Sequence, residues 1–108
     1  MDGCYNRFGD IWSGLFQKRT LDVCGQVMVV NGKASVIHRR ASDPIANLER
    51  ETPGVRLNET LWETLSQTVS EGTVVDVYRA VTDLAATHFE RPYRTVFTEA
   101  RDEWLALF

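Results

Sequence analysis

The sequence predicts an α+β fold in which an N-terminal β-hairpin, or a small antiparallel sheet, packs on three C-terminal helices. Two observations predict it. First, Asn31-Gly32 separates two β-rich segments, Leu21–Val30 and Lys33–Arg40, and this dipeptide is typical of a tight type I′ hairpin turn. Second, apolar residues in the second half recur at helical spacing between recognisable helix caps. The 108 residues suffice for a single domain, with an N-terminal part over 1–40 and a helical part over 41–108.

The first element is an expected helix over residues 5–16, where aromatic and aliphatic side chains recur at helical spacing and two glycines weaken the pattern. The hairpin follows, and its two-residue turn puts apolar side chains on both of its faces. Met28, Val30 and Ile37 share the second face, which the core on the first face cannot also cover. We therefore expect this face to pack on the N-terminal segment or on a second copy of the chain.

The helical part begins at Asp43-Pro44, an N-cap followed by proline at the first helical position. This short helix is expected to end at Thr52-Pro53-Gly54. Asn58 is then the expected N-cap of the first of three longer helices, and Thr73–Asp76 has the spacing of a capping box at the second. The third helix opens at Arg91-Pro92. The tryptophans and most phenylalanines fall on the apolar stripes, which favours core packing for them.

Composition and charge exclude several classes of function. The chain carries a net charge of −3, with its cations concentrated in residues 1–40, and an acidic protein is a poor nucleic-acid binder. No apolar segment is long enough for a membrane span, and no secretory signal is expected. The candidate metal ligands have no ligand spacing, namely Cys4, Cys24, His38 and His88. We expect a cytoplasmic protein with reduced cysteines, without catalytic activity, metal or cofactor.

Four short motifs resemble those of one known family. They are Val55-Arg56-Leu57-Asn58-Glu59-Thr60, Trp62-Glu63-x-Leu65, Glu71-Gly72-Thr73, and Phe89-x-x-Pro92 with the apolar spacing that follows it. On these motifs, residues 55–107 resemble the peptide-recognition chaperone of pyrroloquinoline-quinone biosynthesis and the related recognition elements for ribosomally made, modified peptides. The resemblance implies a winged-helix-like arrangement and a non-catalytic adaptor that captures a partner peptide by strand addition.

The implied peptide site has two walls. One is an exposed strand and the other is the last helix, with these residues carried over by position: Val55, Arg56 and Leu57 on the strand, and Arg94, Phe97 and Arg101 on the helix. The arginines would suit an acidic peptide. The alternative is a homodimeric interaction or regulatory protein that uses the hairpin, through Met28, Val30 and Ile37, as its interface. A winged-helix DNA-binding regulator is less favoured, because the helices are acidic.

Overall fold

The computed structural model describes residues 8–29, 32–33, 35, 37, 41–67, 69 and 71–108. Helices make up 71% of these residues. They are α1 (Gly9–Val23), α2 (Pro44–Leu65), α3 (Val74–Ala86) and α4 (Arg91–Leu105). Since no β-strand occurs in this described part of the chain, the expected α+β, winged-helix-like fold with a β-hairpin is wrong. The described fold is all-helical.

The start of the expected hairpin belongs to α1. Leu21–Val23 form the last turn of that helix, and Gly25 follows with a φ of 70°. The N–H of Gly25 donates to the carbonyl of Asp22 (3.2 Å), and the N–H of Gln26 donates to the carbonyl of Leu21 (2.8 Å). These two bonds are the Schellman motif that ends many helices at a glycine with positive φ. The segment is therefore a helix end and not the start of a strand.

Beyond this helix end, Gln26–Val29 have no strand partner among the described residues. Val27 and Val29 are strongly exposed, so they bury no apolar surface against a sheet. Val30, Asn31 and most of the second expected strand lie outside the described residues. A two-stranded ribbon that packs on nothing is at best marginally stable in water, which is a physical reason for the absence of the first strand.

α2 is one helix of 22 residues where the sequence suggested two helices and a break. Its N-cap is confirmed: the Asp43 carboxylate accepts hydrogen bonds from the backbone N–H of Ile45 (3.0 Å) and Ala46 (3.2 Å). Pro53 lies inside the helix, at a cost of about 3 kcal/mol. The helix nevertheless continues, because its inner face buries these residues: Gly54, Leu61, Thr64 and Leu65.

The continuity of α2 removes two expected features. Asn58 is not an N-cap, since it lies within α2, where its side-chain oxygen accepts a hydrogen bond from the indole N–H of Trp12 (3.3 Å). Val55–Leu57 are likewise helical, so the strand that the family resemblance implied is absent at that position. Tertiary packing has overridden the local break signals of Pro53 and Gly54.

The expected capping box at the start of α3 is confirmed. The Thr73 hydroxyl accepts a hydrogen bond from the backbone N–H of Asp76 (3.2 Å), and the Asp76 carboxylate accepts one from the backbone N–H of Thr73 (3.2 Å). The Thr73 hydroxyl also donates to the Asp76 carboxylate (2.7 Å), and this bond, together with the one from the Thr73 backbone N–H, lowers the pKa of Asp76. α3 is the central helix of the fold, because it packs against α1, α2 and α4.

The core lies around α3 and is rich in aromatic rings. Phe89 stacks on Trp12 with ring centroids 5.3 Å apart and meets Phe97 edge to face at 5.1 Å. The expected burial of aromatic residues is confirmed for Trp12, Phe16 and Phe89, which are almost fully buried. It is wrong for two tryptophans, since Trp62 is 64% exposed and Trp104 is 45% exposed.

Candidate functional site

The residues carried over from the family resemblance do not form a two-walled peptide site. Val55, Arg56 and Leu57 lie on α2, with Leu57 packed against the core and the other two exposed. Because this segment is helical, its backbone N–H and C=O groups are used within α2 and offer no strand edge. Arg56 and Leu57 instead line a wide, open depression near Glu90.

On α4, Arg94 and Phe97 have roles within the fold. The Arg94 guanidinium donates to the carbonyls of Phe89 (2.9 Å) and Thr87 (3.3 Å), which ties α4 to the residues that follow α3. Phe97 meets Phe16 edge to face at 5.7 Å and belongs to the aromatic part of the core. Both side chains are therefore engaged in contacts within the fold.

Arg101 is the most buried of the expected peptide-binding residues, with 7% of its side chain exposed. It donates to the Thr82 hydroxyl (3.1 Å) and forms ion pairs with the carboxylates of Asp83 and Asp102. Burial alone would lower the pKa of Arg101, but the hydrogen bonds to the two carboxylates raise it above its ordinary value. The guanidinium therefore joins α4 to α3 as a permanent cation.

The expected dimer face is not defined by the described structure. Met28 and Ile37 are exposed and lie outside any helix or strand, while Val30 lies outside the described residues. The strand pairing that would place these side chains on one face is not found in the described part of the chain. A dimer through these residues stays a prediction, because most of the second expected strand lies outside the described residues.

Two of the candidate metal ligands have ordinary surroundings. The Cys24 thiol is free and half-buried, and the Nε2 atom of His88 lies 2.7 Å from the Thr64 hydroxyl. Cys4 and His38 lie outside the described residues. Within the described ranges, no three His, Cys, Asp or Glu side chains are placed to hold a metal ion. None of the four helices has the length and apolarity that crossing a bilayer requires.

The structure brings together a different candidate site, an apolar groove between α1, α3 and the end of α4. We call it the α1–α3–α4 groove. Its volume is about 290 Å³, and it is lined by Gln17, Thr20, Leu21, Val74, Val75, Tyr78, Trp104, Leu105 and Phe108. Seven of these nine residues are aliphatic or aromatic, so the groove offers hydrocarbon surface with few polar atoms.

Aromatic rings form one side of the groove. Trp104 meets Tyr78 edge to face at 5.4 Å, and Phe108 meets Trp104 at 5.3 Å. Burial raises the pKa of Tyr78, although the Arg101 cation opposes this, so the phenol is neutral at physiological pH. On the facing wall, the Thr20 hydroxyl donates to the carbonyl of Phe16 (2.8 Å) within α1. Its donor is therefore used within the fold, and the groove surface stays apolar.

Sequence reasoning missed this groove because it assigned every aromatic on an apolar stripe to the core. One signal was present in the last residues, Trp104 to Phe108, where four of five side chains are large and apolar. A helix end that is apolar on all sides cannot bury every one of them against a single neighbour. Leu105 is buried, whereas Trp104, Leu107 and Phe108 keep much of their surface in solvent.

Comparisons of the chain with protein-family models, curated proteins and solved structures found no match. The resemblance of residues 55–107 to the peptide-recognition family therefore rests on the short motifs alone. The strand that this resemblance implied at Val55–Leu57 is contradicted by α2.

Proposed function

We propose that this protein is a non-catalytic binding domain whose α1–α3–α4 groove takes the apolar face of a helix from a partner protein. The observation that supports this is the exposure of large apolar side chains at the mouth of a preformed groove. Trp104 is 45% exposed, Val74 53% and Phe108 80%. Contiguous apolar surface of this kind, with aromatic residues at its centre, is typical of protein-interaction sites.

The size of the groove suits one or two large apolar side chains of a partner. Small-molecule pockets typically span about 300–1,000 Å³, and this groove, at about 290 Å³, lies just below that range. An amphipathic helix could insert one or two large apolar side chains into it. Such helices bind grooves between helices through residues at i, i+3, i+4 and i+7 spacing.

The charge around the groove favours a basic partner. Glu71 precedes α3, Asp76 lies in its first turn, and Glu103 lies in the last turn of α4. The cations that flank lining residues have partners of their own: Arg79 pairs with Asp102 at 2.7 Å, Lys18 pairs with Asp22, and the Arg19 guanidinium donates to the carbonyl of Gln67 (3.0 Å). A partner helix with Lys or Arg beside its apolar face would therefore match both the walls and the rim.

The groove captures its partner by helix binding and not by the strand addition that the family resemblance implied. The described fold contains no strand at Val55–Leu57 to which a peptide could add. The hypothesis of a partner-binding adaptor therefore applies to a different surface, the α1–α3–α4 groove. A cytoplasmic location, expected from the sequence, remains part of the proposal.

The test uses Trp104 as its reporter in a Trp62→Phe background, because Trp12 is 1% exposed and responds little to binding. The probe is an 18-residue peptide of Leu and Lys arranged as an amphipathic helix. A permuted peptide of identical composition, with no apolar face, is the control. We expect the first peptide to shift Trp104 emission to shorter wavelength with saturation, and the permuted peptide to leave it unchanged.

A pair of variants locates the site. Val74→Asn with Phe108→Asn adds polar groups to the groove, and we expect at least about tenfold weaker binding. Ile11→Asn with Ile45→Asn changes two exposed first-turn isoleucines outside the groove, and we expect unchanged binding. Equal binding of both peptides, or equal binding by both double variants, would overturn the proposal. Saturable binding of a small apolar dye with no peptide binding would also overturn it, in favour of a ligand pocket.

A further inference from the structure

α2 has a second apolar face that the core does not use. Four side chains on its outward side are each more than half exposed, and we call them the α2 stripe: Ile45, Leu48, Val55 and Trp62. The inner face of the same helix buries Gly54, Leu61 and Leu65. A helix that is apolar on two opposite sides is normally buried on both, so the stripe indicates a second packing partner.

The spacing of the stripe is that of a coiled-coil seam. Leu48, Val55 and Trp62 are seven residues apart, and Ile45 precedes Leu48 by three. Alternating steps of three and four residues from Ile45 define six seam positions, and Thr52 and Glu59 occupy two of them. The other four positions are apolar. At 1.5 Å per residue the stripe is about 26 Å long. A period of 3.5 residues is what keeps one face of a helix turned toward a partner helix.

We infer that the α2 stripe packs against the α2 stripe of a second copy of this chain, with the two helices antiparallel. The position of Glu59 in the seam is the first reason for the antiparallel orientation. Parallel packing would place this carboxylate directly against the same residue of the other copy, which is a repulsive arrangement. Antiparallel packing with Ile45 opposite the partner subunit's Trp62 separates the two Glu59 side chains by about 11 residues, or about 16 Å.

Charge along one edge of the stripe supports the same orientation. Glu49 and Arg56 both follow a seam position by one residue on this edge, and they are seven residues apart. In an antiparallel pair, equivalent edges meet across the interface. Arg56 then lies opposite the partner subunit's Glu49, and two-fold symmetry repeats this ion pair. The interface is thus complementary to itself, as a closed dimer requires.

The expected association is weak. One pair of helices buries less than the roughly 800 Å² per partner of a standard stable interface. We therefore expect a concentration-dependent equilibrium of monomer and dimer, with a dissociation constant in the micromolar range. The α2 stripe and the α1–α3–α4 groove lie on different helices, so this inference does not depend on the proposed function.

Analytical ultracentrifugation of the full chain, from low to high micromolar concentration, tests the inference. Leu48→Asp should weaken association at least about tenfold, while Ile11→Asp, at a similarly exposed isoleucine on α1, should not change it. Circular dichroism checks that each variant keeps its helical content. Each of Glu49→Arg and Arg56→Glu should weaken the dimer, and the double variant should restore it, because the exchange recreates both ion pairs.

Three results would overturn the inference. The first is a wild-type chain that stays monomeric at high micromolar concentration. The second is a charge-exchanged double variant that remains as weak as the single variants, which would exclude the antiparallel register. The third is a dimer that dissociates with Met28→Lys and Ile37→Lys but not with Leu48→Asp, since the interface would then lie near the expected hairpin.

Discussion

Gly54 offers a decisive test of how α2 packs against the start of α1. A Cβ atom added at Gly54 would lie 2.6 Å from both Cγ and Cε2 of the Phe8 ring, and still closer to its Cδ2. Carbon atoms in favourable contact are about 3.5–4.0 Å apart, so the ring or the helix would have to move by about 1 Å. Phe8 is 7% exposed, with its ring 5.3 Å from that of Trp12. The ring therefore has little free space into which it can shift.

Two opposing effects set the size of the change in Gly54→Ala. Alanine is favoured over glycine in a helix interior by about 1 kcal/mol. Overpacking a filled core costs about 1–3 kcal/mol, and a clash with three ring atoms belongs at the upper end. We therefore expect a net loss of about 1–2 kcal/mol in the free energy of unfolding. For a chain of this length, that corresponds to a fall of about 5–10 °C in the melting temperature.

Gly14→Ala is the matched control, because Gly14 is also inside a helix but has no atom within 4 Å of its added Cβ. It should raise the stability by about 1 kcal/mol. Urea denaturation of both variants measures the contrast in sign. A double-mutant cycle with Phe8→Leu should show that the smaller side chain relieves part of the Gly54→Ala penalty. Stabilisation by both alanines would refute the packing of Phe8 on α2.

Three further predictions concern single elements. Pro53→Ala should stabilise the protein by up to about 3 kcal/mol in urea denaturation, and a loss would place a chain break there. Gly25→Ala should lower the melting temperature at a cost of about 1–2 kcal/mol, because alanine is strained at positive φ; no change would contradict the helix end at Gly25. Hydrogen bonds from Thr73 lower the pKa of Asp76. The stability that the ionised Asp76 carboxylate contributes is therefore present above about pH 4 and is lost as pH falls through the folded-state pKa of Asp76. Asp76→Asn should therefore make urea stability less dependent on pH between 5 and 3, and an unchanged slope would contradict this.

Local cap signals predicted the helix starts well. The side chains of Asp43 and Thr73 both bond the N–H groups of the following turn, as their positions in the sequence suggested. Such signals succeed because a cap satisfies backbone donors within three residues, so the physical cause is contained in a short window of sequence. The apolar stripe of α3 is confirmed at Val77, Val81 and Ala85 for the same reason, since amphipathicity is a property of one helix. The stripe expected on α4 is not, because Trp104 and Leu107 stay exposed while Arg101 and Leu105 are buried.

The errors came where a distant contact outweighed a local signal. Pro53-Gly54 is typical of a helix break, but Gly54 packs against Phe8, 46 residues earlier in the chain. Asn58 is a residue type that is common at helix N-caps, but here its side chain lies within α2 and accepts a hydrogen bond from Trp12. Gly25 ends α1 with a positive φ, whereas the Asn31-Gly32 turn pattern predicted a strand over Leu21–Val30. The site could not be predicted, because the groove exists only once three helices have been assembled.

α2 shows why a helix can pass through a proline in this fold. Pro53 costs about 3 kcal/mol, and burial of a large aliphatic side chain returns about 1.5–3 kcal/mol. Leu61 and Leu65, both almost fully buried after the proline, are therefore enough to offset that cost on the inner face. The outer face contributes little in a monomer, because its three aliphatic residues and Trp62 are each more than half exposed. Burial of that face in a dimer would add to the stability of α2 only in the associated state. Denaturation of the wild type should then depend on protein concentration, whereas denaturation of Leu48→Asp should not.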